Sequence, residues 1–351
     1  MNTPAPSVKS FKSYRILIPL VLGVGAVAWF FWDEFDPAVF STFDFPPASI
    51  ACIGLAFGLI LLRDGTMMWR FRLFAGKRLS WRQAFRVNVL SEFTSALTPT
   101  AIGGSSLVVI FLAKEGIETG RSAAIMLINL LLDELYFVLV CPVLFLFIPL
   151  QEIFPPSAGI ASLGYIFVGL YLLHLFWAML LFAGIFIHPE MVRKTLLFLF
   201  RLPVLKRWYA GVDTMTHNLL QVSHDIGSHS FLFWMKACLL TLFTWSMRFL
   251  VANALFLAFV PVGNHLTVFA RQVVLWIFAA LMPTPGGSGM SELAFKEYYS
   301  DIFTSGSIVL LVTVVWRIIT YYLYLLLGVL VLPDWLNKTF AGRKKGVGER
   351  L

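Results

Sequence analysis

Six apolar runs govern what this chain can become. Residues 14–32, 47–69, 122–150, 159–187, 231–260 and 306–332 are each about as long as the ~20 helical residues needed to cross a ~30 Å hydrocarbon core. A backbone in hydrocarbon must satisfy its own polar groups, and runs that are continuous rather than alternating do so as helices. Over 351 residues the chain is 59% hydrophobic and 13% charged, with a mean hydropathy of +0.82. No soluble domain carries that balance. The expected fold is an all-α polytopic membrane protein with about six full transmembrane helices.

The run at 14–32 is longer than a signal-peptide core and lacks a small-x-small cleavage site before Asp33, so it reads as a retained anchor. Cys52, Cys141 and Cys238 lie singly within runs and suggest neither a disulfide framework nor a metal site. His217, His224 and His229 lack metal-ligand spacing and read as polar-face residues of a loop. The nearest approach to a phosphate-binding loop is AGKRLS, so no ATP-driven engine is expected. No cofactor and no metal are implied.

Basic residues orient the runs. Lys9, Lys12 and Arg15 precede the first and Asp33, Glu34, Asp36 and Asp44 follow it, which puts the N-terminus in the cytoplasm. Arg70, Arg72, Lys77, Arg78, Arg82 and Arg86 form a cytoplasmic apron after the second run, and the tail GRKKGVGER is basic too. The net charge of +8 is thus spent on topology rather than on nucleic acid. In the 188–230 loop, LLFLFRLPVLKRWY mixes apolar and basic residues as a helix lying on an anionic membrane surface does; a solvated linker is the plainer alternative.

Two segments fit neither a loop nor a span. Residues 87–113 have basic residues at both ends, so they enter and leave by one face. The arm 86–97 covers roughly 18 Å at ~1.5 Å per residue, too little to span. TPTAIGG supplies a turn before a second arm at 105–113. Residues 267–301 repeat the arrangement from the opposite face, with arms at 267–281 and 290–301 around PTPGGSG. Both are expected to be re-entrant helical hairpins, tolerable only inside protein or beside a watery cavity.

The two breaks also match each other. ALTPTAIGGSS begins at Ala96 and ALMPTPGGSG at Ala280. Arg63 stands 36 residues before Pro99 and Arg248 stands 35 before Pro283; Asp133 and Arg317 each follow the respective proline by 34. Span, broken hairpin, span therefore occurs twice, in halves of about 47–150 and 231–332, with 14–32 and 159–187 additional and 333–351 a basic tail. Opposed entry makes the halves inverted, an arrangement by which secondary transporters expose one midplane site to each side in turn.

MPTPGGSGMSE with its following AF resembles the signature of the lysylphosphatidylglycerol synthase transmembrane region family, the flippase-like or UPF0104-type membrane proteins. KEG after the first hairpin and LLLDEL in the third run extend the resemblance over nearly the whole chain. Ser105, Ser106 and Leu107 stand where relatives often carry a charge after the first glycines. Relatives with a soluble synthase domain attach amino acids to phosphatidylglycerol and flip the product. This chain stops soon after its last run, so the resemblance implies the flipping half alone, and no enzyme.

Ionisable groups inside membrane segments cost roughly 2.5–3.5 kcal/mol each on insertion scales and are functional candidates for that reason. Glu292 opens the outgoing arm of the second hairpin, near the positive end of a short helix. It either meets cargo or a proton, or is paired permanently with an arginine of its own half, Arg248 or Arg317. Either arginine offers a fork suited to phosphate. Asp133 and Glu134 diverge by ~100° on a helix, and one of them is expected to pair with Arg63. Asp64 and Glu92 are expected near the inner interface. At the first tip Thr98, Pro99, Thr100, Gly103, Gly104, Ser105 and Ser106, and at the second Pro283, Thr284, Pro285, Gly286, Gly287, Ser288, Gly289 and Ser291, cap the broken helices or offer amides to phosphate.

The function expected is flipping of a lipid or lipid-linked precursor across the cytoplasmic membrane, along a polar path at the hairpin tips, with both termini cytoplasmic. Its partners are membrane lipids, either an anionic phospholipid or a polyprenyl-linked precursor. The alternative is an ion- or proton-coupled carrier of a small polar solute. A membrane-embedded enzyme lacks a metal cluster or nucleophile–base pair in this sequence, and a passive partner subunit has no need of the polar breaks.

Overall fold

A computed structural model describes residues 46–98, 101–154, 161–187, 190, 194, 197–198, 229–260, 262–303 and 305–348. The run at 14–32, most of the 188–230 loop with His217 and His224, and Pro99 and Thr100 lie outside them. The described residues are helical and contain no strand. The helices are α1 Pro47–Ala75, α2 Trp81–Leu97, α3 Ala101–Lys114, α4 Thr119–Phe147, the short α5 Leu150–Ile153, α6 Ala161–Phe182, α7 Phe231–Phe259, α8 His265–Ala279, α9 Met290–Tyr298, α10 Gly306–Arg317 and α11 Leu323–Gly348. Wide π turns follow α6, at Ala183–Ile187, and α10, at Ile318–Tyr322.

Five helical stretches are long and apolar enough to cross a membrane: Pro47–Ala75, Thr119–Phe147, Leu163–Ile187, Phe231–Phe259 and Gly306–Leu336. They coincide with five of the six apolar runs. Large side chains such as Leu146, Phe147, Tyr165 and Phe231 stand exposed on them. Water would not tolerate such a coat, whereas hydrocarbon costs it nothing.

α1 and α7 form the central seam and share the most extensive contact in the structure. Hydrogen bonds from Ser49 Oγ to Ala258 O (2.6 Å), between Thr66 Oγ1 and Thr244 Oγ1 (2.8 Å), and from Arg70 Nη1 to Thr241 Oγ1 (2.9 Å) fix an antiparallel register. Small polar residues at a helix seam allow this close approach. In that register Arg63 lies level with Arg248.

On either side of the seam stands a helix pair. α2 begins at a reciprocal cap, where Gln83 N donates to Ser80 Oγ (3.3 Å) and Ser80 N donates to Gln83 Oε1 (2.8 Å). It packs against α3, and the base of the pair is closed by a fork from Arg86 Nε and Nη2 to Glu115 Oε1 and Oε2 (2.7 and 2.5 Å). In the second pair, α8 and α9, Arg271 Nη1 and Nη2 hold Asp301 Oδ1 and Oδ2 in the same way (2.6 and 2.7 Å). Each hairpin thus has an arginine early in its first arm clamped to an acid just past its second.

The helices end and begin differently at the first tip than expected. Gly103, Gly104, Ser105 and Ser106 lie within the first two turns of α3, which starts at Ala101. A glycine pair weakens a helix by only ~1 kcal/mol per residue against alanine without forbidding it. The second tip is longer, because Gly286, Gly287 and Gly289 hold positive φ angles of 57°, 70° and 81° that no helix accommodates.

Candidate functional site

The two tips touch. Gly286 N donates to Thr98 O across 3.3 Å. Beside them Ser288 Oγ donates to Pro285 O (2.7 Å) and shares a 2.8 Å hydrogen bond with Tyr321, whose hydroxyl also reaches Ala96 O at 3.3 Å. A β-carbon on Gly286 would lie 2.3 Å from the Tyr321 ring and 2.9 Å from Ala96 O, so only glycine fits there. Phe93, Ala96, Tyr321 and Leu325 make a small apolar cluster of their own at this junction. Two polar atoms near it, Thr284 Oγ1 and the Tyr322 hydroxyl, are buried without a partner among the described residues. Gly287 sits against Ser291, which donates to the Met282 sulfur (3.3 Å).

Glu292 is sealed between a backbone amide and an arginine. Its Oε2 accepts from Gly289 N (2.8 Å) at the start of α9, and its Oε1 accepts from Arg317 Nε (2.8 Å). Arg317 also donates to Gly286 O (3.3 Å) and stacks 4.1 Å over Tyr321. The Glu292 side chain is 0% exposed. Of the two arginines considered for it, Arg317 is the partner and Arg248 is not.

Arg248 crosses to the other half. It shares Glu92 with Arg63: Arg63 Nη2 donates to Glu92 Oε1, and Arg248 Nη1 reaches Glu92 Oε2 at a long 3.5 Å. Arg63 Nη1 also donates to Asp64 Oδ1 (2.7 Å), and the Tyr324 hydroxyl donates to the same oxygen (2.8 Å). Arg248 lies 4.6 Å over Trp276 and 6.0 Å from Trp245. Asp64, Glu92 and Arg248 keep 15%, 18% and 13% of their side chains exposed, unlike the sealed Glu292. Two arginines and two carboxylates balance formally, yet the Arg248 guanidinium makes no other hydrogen bond among the described residues. This is a neutral cluster with one loosely held cation.

Asp64 and Glu92, expected near the inner interface, are both members of this cluster. The signal that could have found Glu92 is its spacing: it stands seven residues before Pro99, as Trp276 stands seven before Pro283. The level arginines of the seam meet an acid in one hairpin and an aromatic wall in the other.

Arg63 does not pair with Asp133 or Glu134. Arg63 and Arg70 are two turns apart on one face of α1; the hairpin residue Glu92 occupies the first, and Asp133 reaches the second. Arg70 Nη1 and Nη2 donate to Asp133 Oδ1 and Oδ2 (2.6 and 3.2 Å), and Trp245 Nε1 donates to Oδ1 as well (2.9 Å). Glu134 turns outward to His174 of α6, with 2.5 Å between Oε2 and Nδ1. Among the described residues no group of three or more His, Cys, Asp or Glu is arranged to hold a metal.

Buried ion pairs within apolar helices, two helical hairpins meeting at their tips and an exposed hydrocarbon-like coat define a multi-pass helical membrane protein with a polar interior. The profile described as Lysylphosphatidylglycerol synthase TM region matches residues 16–328, and the chain belongs to that family. It is also similar to a protein of Archaeoglobus fulgidus described as a UPF0104 membrane protein, 25% identical over 276 residues, which cover 75% of this chain and 80% of that one.

Proposed function

We propose that the protein moves the polar headgroup of a lipid or lipid-linked precursor across the cell membrane, with the acyl or prenyl tails remaining in the bilayer. The observation that carries this reading is the shared carboxylate: Arg63 and Arg248 meet one Glu92, and Arg248 is held by a single 3.5 Å contact. A headgroup cannot enter hydrocarbon without replacement partners. A phosphate arriving at Arg248 exchanges one anion for another, and Glu92 keeps Arg63. Trp245 and Trp276 orient the guanidinium through cation–π contact while leaving its N–H edge for an anion.

In this reading the α2–α3 and α8–α9 pairs are re-entrant hairpins inserted from opposite faces of an inverted repeat, and both termini are cytoplasmic. The matching base forks and the antiparallel α1–α7 seam support it, because an inverted repeat places equivalent residues level across such a seam. The tip contact between Gly286 and Thr98 then separates the two sides of the path and opens during passage.

The test is reconstitution into liposomes with fluorescent phospholipids, followed by chemical quenching of the outer leaflet. Native protein is expected to make the inner-leaflet label accessible, and Arg248→Ala and Glu92→Ala to slow this by at least tenfold. Equal accessibility with and without the protein, across several headgroups, would refute the proposal. Flux of protons or a small solute without lipid movement would favour a solute carrier.

A further inference from the structure

α4 carries two neighbouring acids that diverge by ~100° around its axis. Asp133 is bound inward by Arg70 and Trp245. Glu134 faces α6 and meets His174. Both members of this second pair lie near the middle of long apolar helices, Thr119–Phe147 and Leu163–Ile187, with 13% and 17% of their side chains exposed. The contact between α4 and α6 does not need them: Tyr171 donates to Val138 O (2.9 Å), and Phe145 and Phe167 meet with ring centroids 5.3 Å apart. An ionisable pair at that depth is costly as glue. An imidazole set against a carboxylate can, however, take up and release a proton.

We propose that His174 and Glu134 form a proton-binding site that couples proton movement to the arginine cluster. The inference rests on the transport reading above. In the unloaded pair the Nδ1–H bond donates to the carboxylate and the pair carries one negative charge. Loading adds one proton, supplied ultimately by the bulk solution, to Nε2, forming an N–H bond and an imidazolium–carboxylate pair with no net charge. Release breaks that bond and returns the proton to water. Nε2 makes no hydrogen bond among the described residues. In a low-dielectric setting, one unit of net charge strongly alters how favourably α4 and α6 pack.

The link to the cluster is short. Glu134 and Asp133 are consecutive on one helix, Asp133 holds Trp245 Nε1 at 2.9 Å, and the Trp245 ring lies 6.0 Å from the Arg248 guanidinium and 4.9 Å from the Trp276 ring. A small movement of α4 therefore shifts the wall against which Arg248 rests. Other titratable or charged groups on the elements around α6 have different settings. Asp133 is bound by Arg70, Arg271 by Asp301, and Glu152 of α5 by Thr267. Tyr136 shares a 3.5 Å contact with Ser246, and Cys141 is buried. Tyr171 donates to a carbonyl, and His265 opens α8. His174 and Glu134 are the imidazole–carboxylate pair among them.

The test uses native protein, His174→Gln, Glu134→Gln and the double variant in the liposome assay, with and without a pH gradient of about two units, worth a ~100-fold bias for a one-proton step. The gradient is expected to change the native lipid-movement rate by at least fivefold. In each variant the ratio of rates with and without it should fall to one, with no further loss in the double variant. Retention of the native ratio in both single variants would overturn the coupling. A second readout needs no lipid movement: nitrogen NMR of the His174 imidazole in nanodiscs, assigned by its loss in His174→Gln. Proton uptake at Nε2 is expected as the solution is acidified, and Glu134→Gln is expected to move its midpoint. An imidazole that binds no proton there, or whose midpoint ignores Glu134, would overturn the site. If native protein moves no lipid, the transport reading fails and the coupling with it, while the imidazole spectrum decides the proton site by itself.

Discussion

Gly286 and Thr98 join the two helical hairpins through a backbone hydrogen bond of 3.3 Å, although 188 positions separate them in the chain. The contact is close because Gly286 has no side chain and holds φ at 57°. Alanine there would be strained by about 1–2 kcal/mol in the left-handed region and would overlap the Tyr321 ring. Overpacking adds a further ~1–3 kcal/mol. Gly286→Ala is expected to lower the thermal midpoint in detergent by several degrees and to raise the reactivity of a cysteine placed at Thr98. An unchanged midpoint would mean that the tips are not held together.

Glu292 and Arg317 are expected to behave as one unit in stability measurements. Removing either partner leaves a buried charge alone, at a cost of about 3–5 kcal/mol. Glu292→Gln combined with Arg317→Gln should be milder than the two single losses added together, and a double-mutant cycle on thermal or denaturant unfolding measures the difference. Simple additivity would argue against the pair.

Arg248 and Glu92 should show the opposite profile. The long contact predicts that Arg248→Lys, which keeps the charge, costs less stability than loss of Arg317, but lowers lipid movement several-fold, since lysine loses the fork and the stacking on Trp276. The comparison is between melting midpoints and liposome rates on the same preparations. Equal loss in both would make the cluster structural.

The base forks are expected to be local. Arg271→Gln removes both hydrogen bonds to Asp301 as well as those to Glu152 O (2.8 Å) and Tyr298 O (3.1 Å). Amide hydrogen exchange should quicken in α9, residues 290–298, and stay native in α3. Arg86→Gln should reverse the pattern. Exchange that quickens in both hairpins for either variant would contradict independent clamps.

Five of the spans and the breaks between the paired helices were legible because hydrocarbon length and proline–glycine chemistry leave a linear trace. Arg317 as the partner of Glu292 was also within reach, since both lie in one half. The partners of Arg63, Asp133, Glu134 and Arg248 were not. Helical periodicity gives a residue's depth and face, but which helix crosses that face depends on packing between elements far apart in sequence. Arg63 was taken from Asp133 by a hairpin residue, Glu92, that had been expected near the inner interface. The first tip was misjudged for a local reason: a glycine pair can end a helix or sit inside one, and the choice depends on what surrounds it. The equivalent forks at Arg86 and Arg271 could have been read from their offsets of 13 and 12 residues before Pro99 and Pro283.

The π turn at Ile318–Tyr322 has one more consequence. A turn of that kind accommodates an extra residue in an otherwise regular helix. Upstream of it Arg317 is aimed at Glu292; downstream Tyr324 is aimed at Asp64. Deleting one residue from the turn would restore ordinary winding and swing everything beyond it by about 100°. Tyr324 would leave the cluster, and Gly328, which lets Phe93 of α2 approach within contact distance, would turn away with it. The sequence would still hold every side chain of the site. Its two halves would simply be out of phase.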